Sequence, residues 1–409
     1  MKRRRFSEAQ GTLAQGPRAR RAVRPGSVRQ GGTGQAGFSL VELLVSVVIG
    51  MGLVMAITSI LIRYEGGRRS LTASNDSSQN GAYVAYTLDR MLRSAGSGYA
   101  QSWRAAFGCR LLAARNGTQV LPRTSAFPAP FAGVPQNVRL APLVVHAGIG
   151  TDGSDVLAIG TGSAGLGESP LRVLPGSLTG TLLRVPTTLG LRARDVVLVL
   201  QDTDNCMVQQ VADGFLDVAG QQLNLGGTYA SSTINSVNLS AMDGSTAALL
   251  APLGNMVGNQ PDLELVGVAA NATLVSHDML RLDGSDAVVP IADGVLDLRA
   301  VYGVDSNGDG QIDSWVKPTE PNYTAAALQD GSAAAQQRLN GILAVRVGLI
   351  LRTAMAERET VAASQIVLFG DLGVGLSHTR NFSSSERQQR YRAVEFTVPL
   401  RNVMLTPKT

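Results

Sequence analysis

Residues 37–62 read GFSLVELLVSVVIGMGLVMAITSILI, and this stretch sets how every other segment is read. Gly37 precedes an apolar run of 25 residues, Phe38 to Ile62, in which Glu42 is the only formal charge. As a helix this run is about 37 Å long, enough to cross a hydrocarbon core of about 30 Å with some tilt. A carboxylate so near the start of a span is costly, roughly 2.5–3.5 kcal/mol at mid-membrane and less near an end. An acid there needs an opposite charge close by. The plainer reading is a signal anchor whose acid sits among the lipid headgroups.

On the N-terminal side lies a basic segment, residues 1–37. It holds nine Lys or Arg and one acid, Glu8, with much Gly, Gln and Ala. It has too little apolar surface to build a core and reads as a disordered leader. The chain has 36 basic and 31 acidic residues; without the leader these become 27 and 30, a formal charge of −3. The sequence pI of about 9.5 therefore belongs to the leader, and it does not argue for nucleic-acid binding. Nine cations before the span against Arg63, Arg68 and Arg69 after it place the N-terminus in the cytoplasm and the rest outside. The apolar region is too long for a cleaved secretory signal, and no A-x-A site follows it.

Gly37-Phe38-Ser39-Leu40-Val41-Glu42 followed by an unbroken apolar helix resembles the processing site of type IV prepilins and type II secretion pseudopilins. The resemblance implies cleavage between Gly37 and Phe38 by a prepilin peptidase, which also methylates the new amine of Phe38. It further implies that Glu42 pairs with the amino terminus of a neighbouring subunit, which would supply the missing charge. The 37-residue leader is longer than is usual in this family.

After the span, Gly66-Gly67 is expected to loosen the helix, and residues 70–80, SLTASNDSSQN, are weak helix formers. From residue 82 the pattern sharpens: Val84, Leu88, Met91 and Ala95 fall on one helical face, and Gly96 and Gly98 stop it. Residues 63–98 read as the exported half of the helix, its stripe packing on a head of residues 99–409. Within the head, runs at 155–160, 195–200, 263–269, 295–303, 342–352 and 393–400 read as strands. Pro399 makes the last of these an edge strand or a strand end. The best later helix signal is 326–340, weakened by Gly331. Residues 99–150 and 226–260 show no clear period and read as long loops. VADGFLDV at 211–218 and IADGVLDL at 291–298 echo one another, most simply as two similar turns into strands. The expected class is α+β: a long N-terminal transmembrane and stalk helix, then a mostly antiparallel, pilin-like β head.

The most chemical-looking stretch is DSNGDGQID, with Asp305, Asn307, Asp309, Gln311 and Asp313 alternating. A hard cation such as Ca²⁺ takes six to eight oxygens, and this spacing offers several. Val316 stands where an EF-hand has its bidentate Glu, so the loop is not an EF-hand. The other reading is a polar turn between strands, held by Asp and Asn side chains. Cys109 and Cys206 are the only cysteines; in an oxidising compartment they are expected to pair, and without clustered His they make no zinc site. GTGSAG at 160–165 matches G-x-G-x-x-G, but LGESPLRVLPG follows it where a dinucleotide site needs a helix. His146, His277 and His378 are scattered, and neither G-x-S-x-G nor H-E-x-x-H is present. No catalytic set is expected, no cofactor is required, and calcium is the one candidate ion.

VLDLRAVYGVDSNGDGQIDSWV, with RYRAVEFTVPLRNV near the end, resembles PilW-type minor pilins, in which a closing strand ends in Arg-Asn, here Arg401-Asn402. The resemblance implies assembly into a type IV pilus, at or near the filament tip, with a type II secretion pseudopilin as the nearest rival and a signal-anchored adhesin or enzyme as another. It implies other major and minor pilins, the prepilin peptidase and the inner membrane as partners, with no nucleic acid and no small-molecule substrate. The expected location is the inner membrane before assembly and the pilus at the cell surface afterwards.

Overall fold

The computed structural model describes residues 37, 39–162, 169–201, 204–216, 220–243 and 248–408. Residues 1–36 of the expected leader and Phe38 lie outside them, as do parts of GTGSAG and of the 211–218 echo. The chain divides into two compact units, one ending at Glu65 and the other running Gly66–Thr409.

In the first unit, Leu40–Ile62 is a helix long and apolar enough to cross a membrane. Its large side chains are all exposed, from 46% for Val47 to 78% for Leu40. Its few polar side chains turn back on the helix: Ser46 Oγ donates to Leu43 O at 2.9 Å, Thr58 Oγ1 to Val54 O at 2.6 Å and Ser59 Oγ to Met55 O at 2.6 Å. Such back-bonding satisfies hydroxyls where no water can.

In the second unit the helix continues to Ser94. The expected loosening at Gly66-Gly67 is not seen, and the polar stretch 70–80 is helical as well. Two glycines cost a helix about 1 kcal/mol each, too little to break it. The buried seam is Val84, Leu88, Leu92 and Ala95, each 0% exposed, with Met91 only half-buried beside it. The stripe thus runs through Leu92 rather than Met91, the i, i+4, i+8 row of a straight helix. It ends where Gly96 and Gly98 both take a left-handed φ of 82°.

Among the described residues, three larger sheets and three two-stranded ones build the head. In order across the first lie Thr118–Leu121, Arg110–Arg115, Asn205–Gln210, Asp195–Leu200, Leu249–Asn255 and Leu171–Arg172. The second is Val289–Asp293, Thr273–Asp278, Asp262–Ala269, Val156–Thr161 and Leu143–His146. The third is Ser314–Val316, Val295–Val304, Ile342–Arg352 and Tyr391–Pro399, so the Pro399 strand does lie at an edge. Pairing among these strands is antiparallel except between Arg110–Leu112 and Asn205–Met207. The first sheet is buried on both faces: Val196, Leu198, Leu200 and Val208 enter the core shared with the helix, while Val197, Val199, Met207 and Leu250 enter a second core.

The main misreading concerns strands without a long, unbroken β-branched run such as that of Asp195–Leu200. Residues 99–150 and 226–260 were expected to be loops, yet they supply Arg110–Arg115, Thr118–Leu121, Leu143–His146 and Leu249–Asn255. A strand buried on both faces has no apolar alternation to read. Pro252 lies within Leu249–Asn255 at a register shift between Pro252 and Gly254, where a missing N–H is tolerated. The helix signal at 326–340 becomes two pieces, Ala325–Leu328 and Ala333–Gly341, divided at Gly331.

Candidate assembly site

The apolar helix opens with a built start. Ser39 precedes Leu40, its Oγ accepts from Glu42 N–H at 3.3 Å, and its carbonyl accepts from Leu43 N–H at 3.1 Å. Ser39-Leu40-Val41-Glu42 is thus an S-x-x-E capping sequence, with Glu42 at the third helical position. A carboxylate there also favours the positive end of the helix dipole. Glu42 is exposed, and no ion pair of the described residues involves it. Gly37 is exposed, with nothing within 4 Å of where a Cβ would stand. Phe38 lies outside the described residues.

Sequence reasoning missed a second feature, a clasp on the far end of the helix. Gly96 N–H donates to Gly160 O at 2.8 Å, and Gly162 N–H donates to Ser97 O at 2.9 Å. The Tyr99 hydroxyl lies 2.9 Å from Gly160 O and 3.0 Å from Ala141 O, buried at 1% exposure. Asn402 Nδ2 donates to Ser94 O at 3.1 Å and to Ala95 O at 3.0 Å. Those carbonyls belong to the last turn of a helix and have no partner within it. The Arg401-Asn402 ending therefore has a physical job: the asparagine caps the stalk helix. The glycines of the rejected nucleotide motif have one too. A Cβ on Gly162 would stand 2.6 Å from Ser97 O and 2.9 Å from Leu253 O.

The acidic turn joins Val295–Val304 to Ser314–Val316. Asp305 is buried, and its two oxygens accept from Gly308 N–H at 2.6 Å and Gly310 N–H at 2.8 Å. Asp313 accepts from Ser306 Oγ at 2.6 Å and Ser306 N–H at 2.7 Å, and these bonds hold its carboxyl below the usual range. Asp309 N–H reaches Asn307 Oδ1 at 2.9 Å, and Gln311 N–H reaches Asp309 Oδ1 at 2.8 Å. The side chains hold the turn itself. Among the described residues, no group of three or more His, Cys, Asp or Glu is gathered where it could hold a metal ion.

Cys109 and Cys206 are bridged, Cα to Cα 5.7 Å, across 97 residues of sequence. The bridge lies beside the one parallel pair, where Leu111 is in register with Cys206. The histidines serve separate settings: His146 is buried in Leu143–His146, His277 packs against Phe127 and Phe131, and His378 Nε2 lies 3.1 Å from Asp297 Oδ2.

Residues 265–402 match the model of a family described as Type IV Pilus-assembly protein W, PilW. Neither the curated proteins nor the solved structures compared with the chain give a match. The matched segment covers about a third of the chain, carries the acidic turn and ends on Asn402, the residue that caps the helix. Residues 265–402 are thus similar to a family of type IV pilus-assembly proteins.

Proposed function

We propose that the protein is a minor pilin, cut between Gly37 and Phe38, methylated at Phe38 and drawn into a type IV pilus near its tip. The observation that carries this reading is an exposed apolar helix whose one charge, Glu42, sits in its first turn. In lipid that helix gains little by packing on its own head; it gains by packing against the helices of other pilins. Glu42 then finds its counter-charge in the methylated amine of a neighbouring subunit, and this pairing sets the axial register. The chain's own work is assembly, and the β head is what it presents at the filament surface.

Substitution tests this directly. Glu42→Val is expected to leave the protein in the membrane fraction but absent from sheared pili, as read by immunoblot of both fractions. Normal incorporation of that variant overturns the reading.

A further inference from the structure

The larger sheets end on six edge strands, and among the described residues five of these are short or blunted. The first sheet ends on Thr118–Leu121, which runs into Pro122, and on the two residues Leu171–Arg172. The second ends on Val289–Asp293, with Pro290 beside a register shift, and on Leu143–His146, four buried residues packed on the helix Ala325–Leu328. The third ends on the three residues Ser314–Val316 and on the nine residues Tyr391–Pro399. Shortness, proline and cover keep a sheet edge from pairing with other chains. Tyr391–Pro399 is long, and its proline comes only at its last position.

The pairing shows which of its main-chain groups face outward. Leu400 N–H donates to Leu343 O at 2.8 Å and Thr353 N–H to Arg390 O at 3.0 Å. Between those bonds the register runs unshifted, from Ala344 opposite Pro399 to Arg352 opposite Tyr391. Bonded pairs alternate along an antiparallel ladder, so Arg392, Val394, Phe396 and Val398 bond inward to Ile342–Arg352. The N–H and C=O groups of Tyr391, Ala393, Glu395 and Thr397 point the other way. Among the described residues, no hydrogen bond takes them.

The side chains set what fits there. Val394 and Phe396 are half-buried against the core shared with the stalk helix, and Arg392 lies on their face. Arg392 is exposed and donates to Ser78 Oγ at 2.6 Å, and no ion pair of the described residues involves it. The strand's one acid, Glu395, is on the other face, held by Arg346 Nη2 at 2.8 Å and Phe369 N–H at 2.9 Å. A second copy of this strand, paired antiparallel, therefore brings no acid to Arg392.

We propose that Tyr391–Thr397 takes up an extended segment of another polypeptide as the next, antiparallel strand of the third sheet, with an acid opposite Arg392 and apolar residues opposite Val394 and Phe396. Main-chain bonds hold such a segment, and its alternate side chains select it. This goes beyond the assembly reading and does not depend on processing at Gly37.

The test uses the full chain in detergent micelles and a blocked, fluorophore-tagged heptapeptide, threonine-valine-threonine-valine-threonine-aspartate-threonine. With its last threonine opposite Tyr391, its aspartate meets Arg392 and its valines meet Val394 and Phe396. Saturable binding is expected, read by fluorescence anisotropy. N-methylation of the threonine opposite Ala393 or Glu395 removes an N–H aimed at the edge and is expected to abolish saturation. N-methylation of the valine between them, whose N–H points away, is expected to leave it in place. Ala393→Pro keeps the ladder to Ile342–Arg352, which does not use that N–H, and is expected to abolish binding. Asparagine for the peptide's aspartate, or Arg392→Gln, is expected to weaken binding about two- to fivefold, and both together no more than either alone. The proposal is overturned if the parent peptide does not saturate, if methylation acts equally at both kinds of position, if folded Ala393→Pro binds as the parent does, or if Arg392→Gln weakens the asparagine peptide as much as the aspartate one. Self-association of the chain that Ala393→Pro abolishes and the peptide does not displace gives the edge to a second copy, and overturns it as well.

Discussion

Glu42 has two physical jobs available, and they make different demands. As part of the capping sequence begun by Ser39, it acts on its own helix, and Gln can take that place. As the counter-charge to a neighbour's amine, it must be ionised, and Gln cannot take its place. Glu42→Gln is therefore expected to keep the helix and the membrane location yet to disappear from sheared pili, as Glu42→Val does. Ser39→Ala, which removes only the cap at a cost of about 1 kcal/mol, is expected to remain incorporated. At the opposite end of the helix, Asn402 donates to Ser94 O and Ala95 O. Asn402→Ala removes both bonds, and urea unfolding should record a loss of about 1–3 kcal/mol. Asn402→Asp should be worse than Ala, because it sets a carboxylate against two carbonyl oxygens and the negative end of the helix. Hydrogen exchange across 84–95 should rise in both variants.

Among elements, the second sheet carries a ladder of acids that repel one another. Glu264 pairs in register with Asp278, two residues along its strand from Asp262. Burial first, then the charges of Asp262 and Asp278, push the Glu264 carboxyl up from about 4.5 to about 7, against a hydrogen bond from Ser276. Burial raises Asp262 and Asp278 as well, with Arg90 opposing it at Asp262. The folded head therefore prefers Glu264 protonated. Its stabilising contribution is complete below the ordinary value and is lost as pH rises through about 7. Glu264→Gln should be stabilised relative to the parent at pH 8, by up to about 3 kcal/mol, and should lose that advantage by pH 4. Thermal melts of both proteins across that range check it.

How much of this was legible in the sequence depended on whether the signal was local. The apolar helix, its acid and the strands at 195–200 and 342–352 could be read because each carries its pattern within a few residues. Leu249–Asn255 could not: Pro252 and Gly254 interrupt it, whereas Asp195–Leu200, equally buried on both faces, is an unbroken apolar run. The clasp was also out of reach. Asn402 lies 308 residues from Ser94, and nothing near it in the chain announces that it will cap a helix. Gly160 and Gly162 carried a visible signal, a glycine repeat, but its cause is close approach, of Gly160 to Tyr99 and Ala141 and of Gly162 to Ser97 and Leu253, rather than a phosphate.

For the whole molecule, the Cys109–Cys206 bridge ties the segment just after the clasp to the middle of the first sheet. Closing a loop of 97 residues is worth up to about 4.7 kcal/mol in the chain-entropy picture, and native disulfides typically give 2–5. Reduction, or Cys109→Ala with Cys206→Ala, should lower stability by an amount in that range. An unchanged urea midpoint would show that the bridge constrains little. The proposed function makes the protein a precursor that sheds a basic leader and keeps a helix carrying one acid. The measurement that tests this most directly is mass spectrometry of the N-terminus of the protein purified from membranes of cells with an active prepilin peptidase. The account predicts a chain that starts at N-methyl-Phe38. A chain from the same cells that still carries Lys2 and the arginines up to Arg29 would contradict it.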